Sequence, residues 1–219
     1  VDTLAPSAPA APTVIATIAS GISASEATAG FTVTASLAGT GAVAGDTLNL
    51  IINGGTPVAH TITAADITAG SYSYSVAGSA LTANANNTFV AQVTDAVGNV
   101  GTSSTALTVN YDTLAPVVTG VTDNTAAATT NAPITFNVVF GEAVVGTVAA
   151  SNFTATNGTV SSVTTVDSTH YTVVVNPTSG IASGTVGLSL VGTGLTDAAG
   201  NAVGSTSLTS LDTQAIDTA

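Results

Sequence analysis

The sequence predicts an all-β chain built as two tandem antiparallel β-sandwiches. Three observations carry that expectation. Short Thr- and Val-rich runs, several of them strictly alternating, recur about seven times per hundred residues. Gly, Asn, Asp and Pro punctuate the chain between the runs. Two motifs each occur twice in the same order, dividing the chain into two similar parts.

The runs come in order. In the first part, Phe31 to Leu37 alternates strictly, and Thr47 to Asn53 alternates over its first four residues ahead of the turn residues Gly54 and Gly55. Val58 to Thr63, Ser71 to Val76, Thr88 to Thr94 and Ser104 to Tyr111 follow. The second part offers Val117 to Val121, Ile134 to Phe140, Asn152 to Thr156, Thr159 to Val166, His170 to Asn176, Val186 to Val191 and Ser205 to Leu211. Such a density of short strands with turns between them points to a sandwich of immunoglobulin type, although the Cys–Trp–Cys hallmark is missing. Asp2-Thr3-Leu4-Ala5-Pro6 recurs as Asp112-Thr113-Leu114-Ala115-Pro116, and Asp95-Ala96-Val97-Gly98-Asn99 as Asp197-Ala198-Ala199-Gly200-Asn201. The expected modules are therefore 1–111 and 112–211. Asp212-Thr213-Gln214-Ala215 repeats the linker weakly, so 212–219 reads as the start of a linker to a following module. The chain opens Val1-Asp2-Thr3 without Met and reads as a piece of something longer.

Composition excludes much chemistry. Among 219 residues there is no Lys, Arg, Cys, Met or Trp, and 12 carboxylates give a formal net charge of −12. Without a basic side chain the chain cannot neutralise phosphates, which removes nucleic acid and anionic membrane surfaces as partners. Lys Schiff bases, Arg clamps, thiol chemistry and disulfides are impossible. Polar residues interrupt every apolar run before it reaches membrane-spanning length, so no membrane insertion is expected. His60 and His170 stand in separate modules and read as exposed strand residues. No Gly-x-Ser-x-Gly elbow is present, and Glu26 and Glu142 lie in different modules. The expectation is a protein that is not an enzyme.

The Asp-Thr-x-Ala-Pro linker, the Asp-Ala-x-Gly-Asn loop and the Thr/Val-rich strands resemble the tandem bacterial Ig-like domains of giant repetitive, type I-secreted surface adhesins and biofilm proteins. Module one is similar to the form carrying Ile22-Ser-Ala-Ser-Glu26-Ala, Ala44-Gly45-Asp46-Thr47 and Asn53-Gly54. Module two is similar to a sister form carrying Phe140-Gly141-Glu142-Ala143-Val144, Asn152-Phe153-Thr154 and Thr156-Asn157-Gly158. Gly141, where the sister form more often has Ser, and Ile216 in place of Pro depart from the pattern without threatening the fold. The resemblance implies an extracellular, bacterial cell-surface protein with calcium at its module junctions.

The placement of acids leads to the same ion by a separate route. In a seven-strand sandwich the second-to-third and sixth-to-seventh strand loops lie beside the entering linker. That gathers Asp2, Asp46, Asp95 and Asn99 for module one, and Asp112, Glu142, Asp197 and Asn201 for module two, with Glu26 expected near Asp112. Carboxylates with ordinary pKa values are all ionised at pH 7. Several of them converging without a cation repel, and a hard divalent cation with oxygen ligands, Ca2+ outside cells, would neutralise them. Against this stands plain turn chemistry, with each Asp capping its own loop and Gly98 and Gly200 supplying positive φ. Asp66, Asp123 and Asp167 read as turn formers or solvated charges.

The favoured function is a structural spacer, a stalk segment of an adhesin, whose partners are neighbouring modules of the same polypeptide. The alternative is a self-assembling subunit of a surface layer or extracellular filament, partnered by copies of itself. A third and weaker reading is a glycan- or ice-binding module. No specific surface ligand is readable from the sequence.

Overall fold

A computed structural model describes residues 2–125 and 129–219. The chain divides into two compact units, the first ending at Thr113 and the second starting at Leu114. The break falls within the linker 112–116, where Pro116 fixes its own φ and biases Ala115 to extended geometry.

Unit 1 contains β1 (Thr13–Val14), α1 (Ala24–Ala29), β2 (Phe31–Ser36), β3 (Thr47–Ile52), β4 (Val58–Thr61), α2 (Ala64–Ala69), β5 (Ser71–Val76), β6 (Ala85–Thr94) and β7 (Leu107–Tyr111). Two antiparallel sheets result, ordered β1-β2-β5 and β4-β3-β6-β7. The alternation read from the sequence is the physical cause. In β2, Phe31, Val33 and Ala35 face inward, and Leu48 and Leu50 do so in β3. They meet Phe89, Ala91 and Val93 of β6 in one core. Phe31 and Phe89 pack edge-on, with ring centroids 6.1 Å apart. Tyr74 of β5 donates its phenol to the Leu48 carbonyl of the other sheet at 2.7 Å, and burial pushes that phenol's pKa up.

Unit 2 contains β8 (Val118–Asp123), β9 (Ile134–Phe140), β10 (Phe153–Thr156), β11 (Gly158–Thr165), β12 (His170–Pro177), β13 (Gly184–Leu190), β14 (Thr206–Ser207) and β15 (Thr213–Ile216). One sheet runs β11-β12-β9-β8; in the other β13 pairs with β10, β14 and β15. The chain passes from β10 to β11 through Asn157, whose φ of 51° lies in the left-handed region that Asn tolerates. Phe136, Phe140, Phe153, Leu188 and Leu190 fill the core, and Phe140 meets Tyr171 edge-on at 5.7 Å. The edge strand β11 is irregular where Val160 gives way to Ser162.

Three expectations are corrected. Residues 212–219 do not stand apart as a leading linker: Gln214 and Ile216 are buried, and Thr213 to Ile216 pair with Gly187 to Gly184. Two short helices lie where only strands and loops were expected, each started by a reciprocal cap. In α1, Ser23 Oγ accepts from the Glu26 N–H while Glu26 returns to the Ser23 N–H. In α2, Thr63 and Asp66 do the same. The pattern Ser/Thr-x-x-acid is the sequence signal for this arrangement. His60, finally, is half-buried on the edge strand β4, stacked on Tyr72 with ring centroids 3.5 Å apart.

Candidate metal centre

The Asp-Ala-x-Gly-Asn loops are the same object in both units. Asp95 Oδ1 accepts from the N–H groups of Val97 and Asn99, and its Oδ2 from Asn99 Nδ2 at 2.6 Å. Asp197 Oδ1 accepts from the N–H groups of Gly200 and Asn201, and its Oδ2 from Asn201 Nδ2 at 2.7 Å. Gly98 and Gly200 both adopt φ 97°, which a side chain would strain. Burial pushes the Asp95 carboxyl up, but hydrogen bonds from Asn99, Val97 and Gly98 outweigh it and hold it below its ordinary value. Turn chemistry is thus present in full.

In unit 2 a second acid meets this loop. Val145 and Thr196 exchange both backbone hydrogen bonds, at 2.6 and 3.1 Å. This bridge lays the loop after β9, which carries Glu142, against Asp197, the residue after Thr196. A carboxylate oxygen of Glu142 and one of Asp197 lie within 4.8 Å of each other. Asp197 is only 4% exposed. Asn201 donates its Nδ2 to Asp197 and carries an amide oxygen besides. All of these donors are hard oxygens, the set a Ca2+ ion takes.

In unit 1, Asp46 replaces the backbone bridge with its side chain. Its Oδ2 accepts from Val43 N–H at 2.9 Å, and its Oδ1 accepts from Ala96 N–H at 3.1 Å. Asp2, Leu4, Val43, Asp46, Asp95 and Val97 line a cleft of about 470 Å3. The three acids share this cleft but do not meet as a set within 4.8 Å of one another. Asn99 reaches across with its Nδ2 to the Asp2 carbonyl at 3.2 Å.

Asp112 closes the last strand of unit 1, its N–H donating to the Ile22 carbonyl at 2.9 Å. Glu26 caps α1. Its Oε2 is bound by the N–H and hydroxyl of Ser23 as the cap of α1. The other acids sort cleanly. Thr63 and His60 hydrogen bonds lower the Asp66 pKa to about 2, with His60 Nε2 at 2.9 Å. In unit 2 the Thr169 N–H and the His170 side chain hold Asp167 well below the usual carboxylate range, with His170 Nδ1 at 3.0 Å from each oxygen. Asp123 caps its own turn at Thr125 and receives its neighbour strand through Asp212.

Residues 112–214 match the family described as bacterial Ig-like domain. The second unit is a bacterial Ig-like domain. Its two antiparallel sheets around the Phe136 core are the sandwich this family name denotes. Two solved structures are similar to the chain as a whole. One is a 1.5-MDa bacterial ice-binding adhesin, at 24% identity and TM-score 0.44, covering 85% of this chain and 59% of that one. The other is a Ca2+-stabilised adhesin with which an Antarctic bacterium binds ice, at 26% identity and TM-score 0.48, covering 94% of this chain and 49% of that one. The chain spans about half the length of these adhesin chains. No curated protein matches it in sequence. Among the described residues, no helix is long and apolar enough to cross a membrane.

Proposed function

We propose that this chain is a spacer segment of a large bacterial surface adhesin, stiffened by calcium at its module junctions. The observation that carries the reading is the Glu142–Asp197 carboxylate pair within 4.8 Å, in a chain with no Lys or Arg to neutralise it. Two unit charges about 4 Å apart repel by about 4 kcal/mol at an effective dielectric of about 20. A divalent cation converts that repulsion into attraction. In this reading Asp112, Glu142, Asp197 and Asn201 hold the ion at the linker together with Glu26. The equivalent Asp2, Asp46, Asp95 and Asn99 serve a junction before unit 1.

The repeated linker and the repeated loop support the spacer role, since a stalk is made by repeating one unit and one joint. The partners are then neighbouring modules of the same polypeptide, and the location is outside the cell on the bacterial surface. The segment works without catalysis: its histidines serve hydrogen bonds to Asp66 and Asp167. Isothermal titration of the metal-free chain with calcium tests the reading. Saturable calcium binding that magnesium does not match is expected, because Mg2+ demands a stricter octahedron and gives up its water reluctantly. A flat calcium titration contradicts it.

A further inference from the structure

Asn84 precedes β6 at φ 54°, in the left-handed region, and is exposed. Its Oδ1 accepts two hydrogen bonds from one distant residue, the N–H and the hydroxyl of Thr113, both at 2.9 Å. One position earlier, the Asp112 N–H donates to the Ile22 carbonyl at 2.9 Å, and the Ile22 N–H donates to the Asn110 carbonyl at 2.8 Å. The end of unit 1 is therefore gripped from two sides, by the backbone before α1 and by the side chain of Asn84. The core makes no demand for an Asn there, since its carboxamide oxygen is spent on the linker.

We infer that Asn84 is a positioning residue for the linker acid: it fixes the path on which Asp112 and Thr113 leave unit 1 and so sets the Asp112 carboxylate in place before a divalent cation arrives. The inference rests on the reading of Asp112 as a calcium ligand. A ligand on a loose chain must be ordered at the moment of binding, which lowers affinity. A ligand whose backbone is already held has that cost removed. Outer partners that orient a metal ligand are typically worth 10- to 100-fold in affinity.

The test uses the full chain and three proteins. Asn84→Gly keeps the positive φ and removes the acceptor; Asn84→Asp keeps an acceptor and tolerates the same φ. Calcium affinity is read by calorimetry, and exchange of the Thr113 amide is read in EDTA. The wild type should protect Thr113 without calcium. Asn84→Gly should lose that protection and bind calcium about tenfold more weakly, with the melting temperature of unit 1 unchanged. Asn84→Asp should restore the protection. Equal calcium affinity in wild type and Asn84→Gly overturns the inference alone, as does a Thr113 amide that exchanges freely in the wild type. A wild type that binds no calcium overturns it through the reading it rests on.

Discussion

Asn201 donates its Nδ2 to Oδ2 of Asp197 at 2.7 Å, inside a loop whose backbone already points two N–H groups at Oδ1 of the same carboxylate. The loop therefore needs Asp197 whether or not an ion is present. Hydrogen bonds to a charged acceptor contribute about 1.5–3 kcal/mol each. Asp197→Ala should destabilise unit 2 by about 3 kcal/mol in EDTA, lowering its melting temperature by roughly 10 °C or more. Scanning calorimetry in EDTA checks this, and a melt equal to that of the wild type contradicts it.

Glu142 should behave differently. Its loop is held by the backbone exchange between Val145 and Thr196, which the side chain does not enter. Glu142→Gln removes the repulsion from Asp197, so it should raise the EDTA melt of unit 2 while weakening calcium binding at least about tenfold. The contrast between the two acids separates turn chemistry from ion chemistry at one site. Equal calcium affinity in Glu142→Gln and wild type counts against the role given to Glu142.

Acid should undo the His60–Asp66–Thr63 cluster in a defined window. The Asp66 pKa is lowered to about 2 in the folded chain, by the Thr63 hydroxyl first and His60 second. An unfolded Asp titrates near 3.9. A carboxylate depressed on folding stabilises above its unfolded pKa and loses that contribution as pH falls toward the folded value. The melting temperature of unit 1 should therefore fall between about pH 4 and pH 2. Asp66→Asn should flatten that slope and start from a less stable protein at pH 7. A pH profile of Asp66→Asn parallel to the wild type throughout that window contradicts the assignment.

Phe136 is fully buried at the centre of unit 2, and Phe89 holds the same place in unit 1. Truncating a core Phe to Ala typically costs about 3–5 kcal/mol. Phe136→Ala should lower the melting of unit 2 by that amount while the transition of unit 1 stays in place, and Phe89→Ala should do the converse. Two resolved calorimetric transitions that move separately are the expected readout. A single transition shifted by either substitution contradicts separate cores.

The strands were legible because alternation is a direct record of which face is buried. Ile134 to Phe140 was read end to end, and Phe31 and Thr47 were read as strand starts. The helices escaped because six residues are too few to set up a periodicity of 3.6. Only the caps Ser23-x-x-Glu26 and Thr63-x-x-Asp66 announce them. The first of these caps binds Oε2 of Glu26 to the N–H and hydroxyl of Ser23. The last strand was hidden by its likeness to a linker. Asp212-Thr213-Gln214-Ala215 repeats the joint, yet Gln214 and Ile216 are buried against β13. The Asp197 loop was legible as a motif, and the approach of Glu142 followed from topology alone. Asn84 carried no signal, because its partner lies 29 residues away and only the fold brings them together.

Calcium should remove hinge freedom between the two units while their cores stand without it. Small-angle scattering of the full chain in calcium and in EDTA, with circular dichroism on the same samples, tests this most directly. Chelation should leave the β signal unchanged and broaden the distribution of maximum dimensions, and calcium should restore the narrow one. An identical scattering curve in calcium and EDTA contradicts the claim.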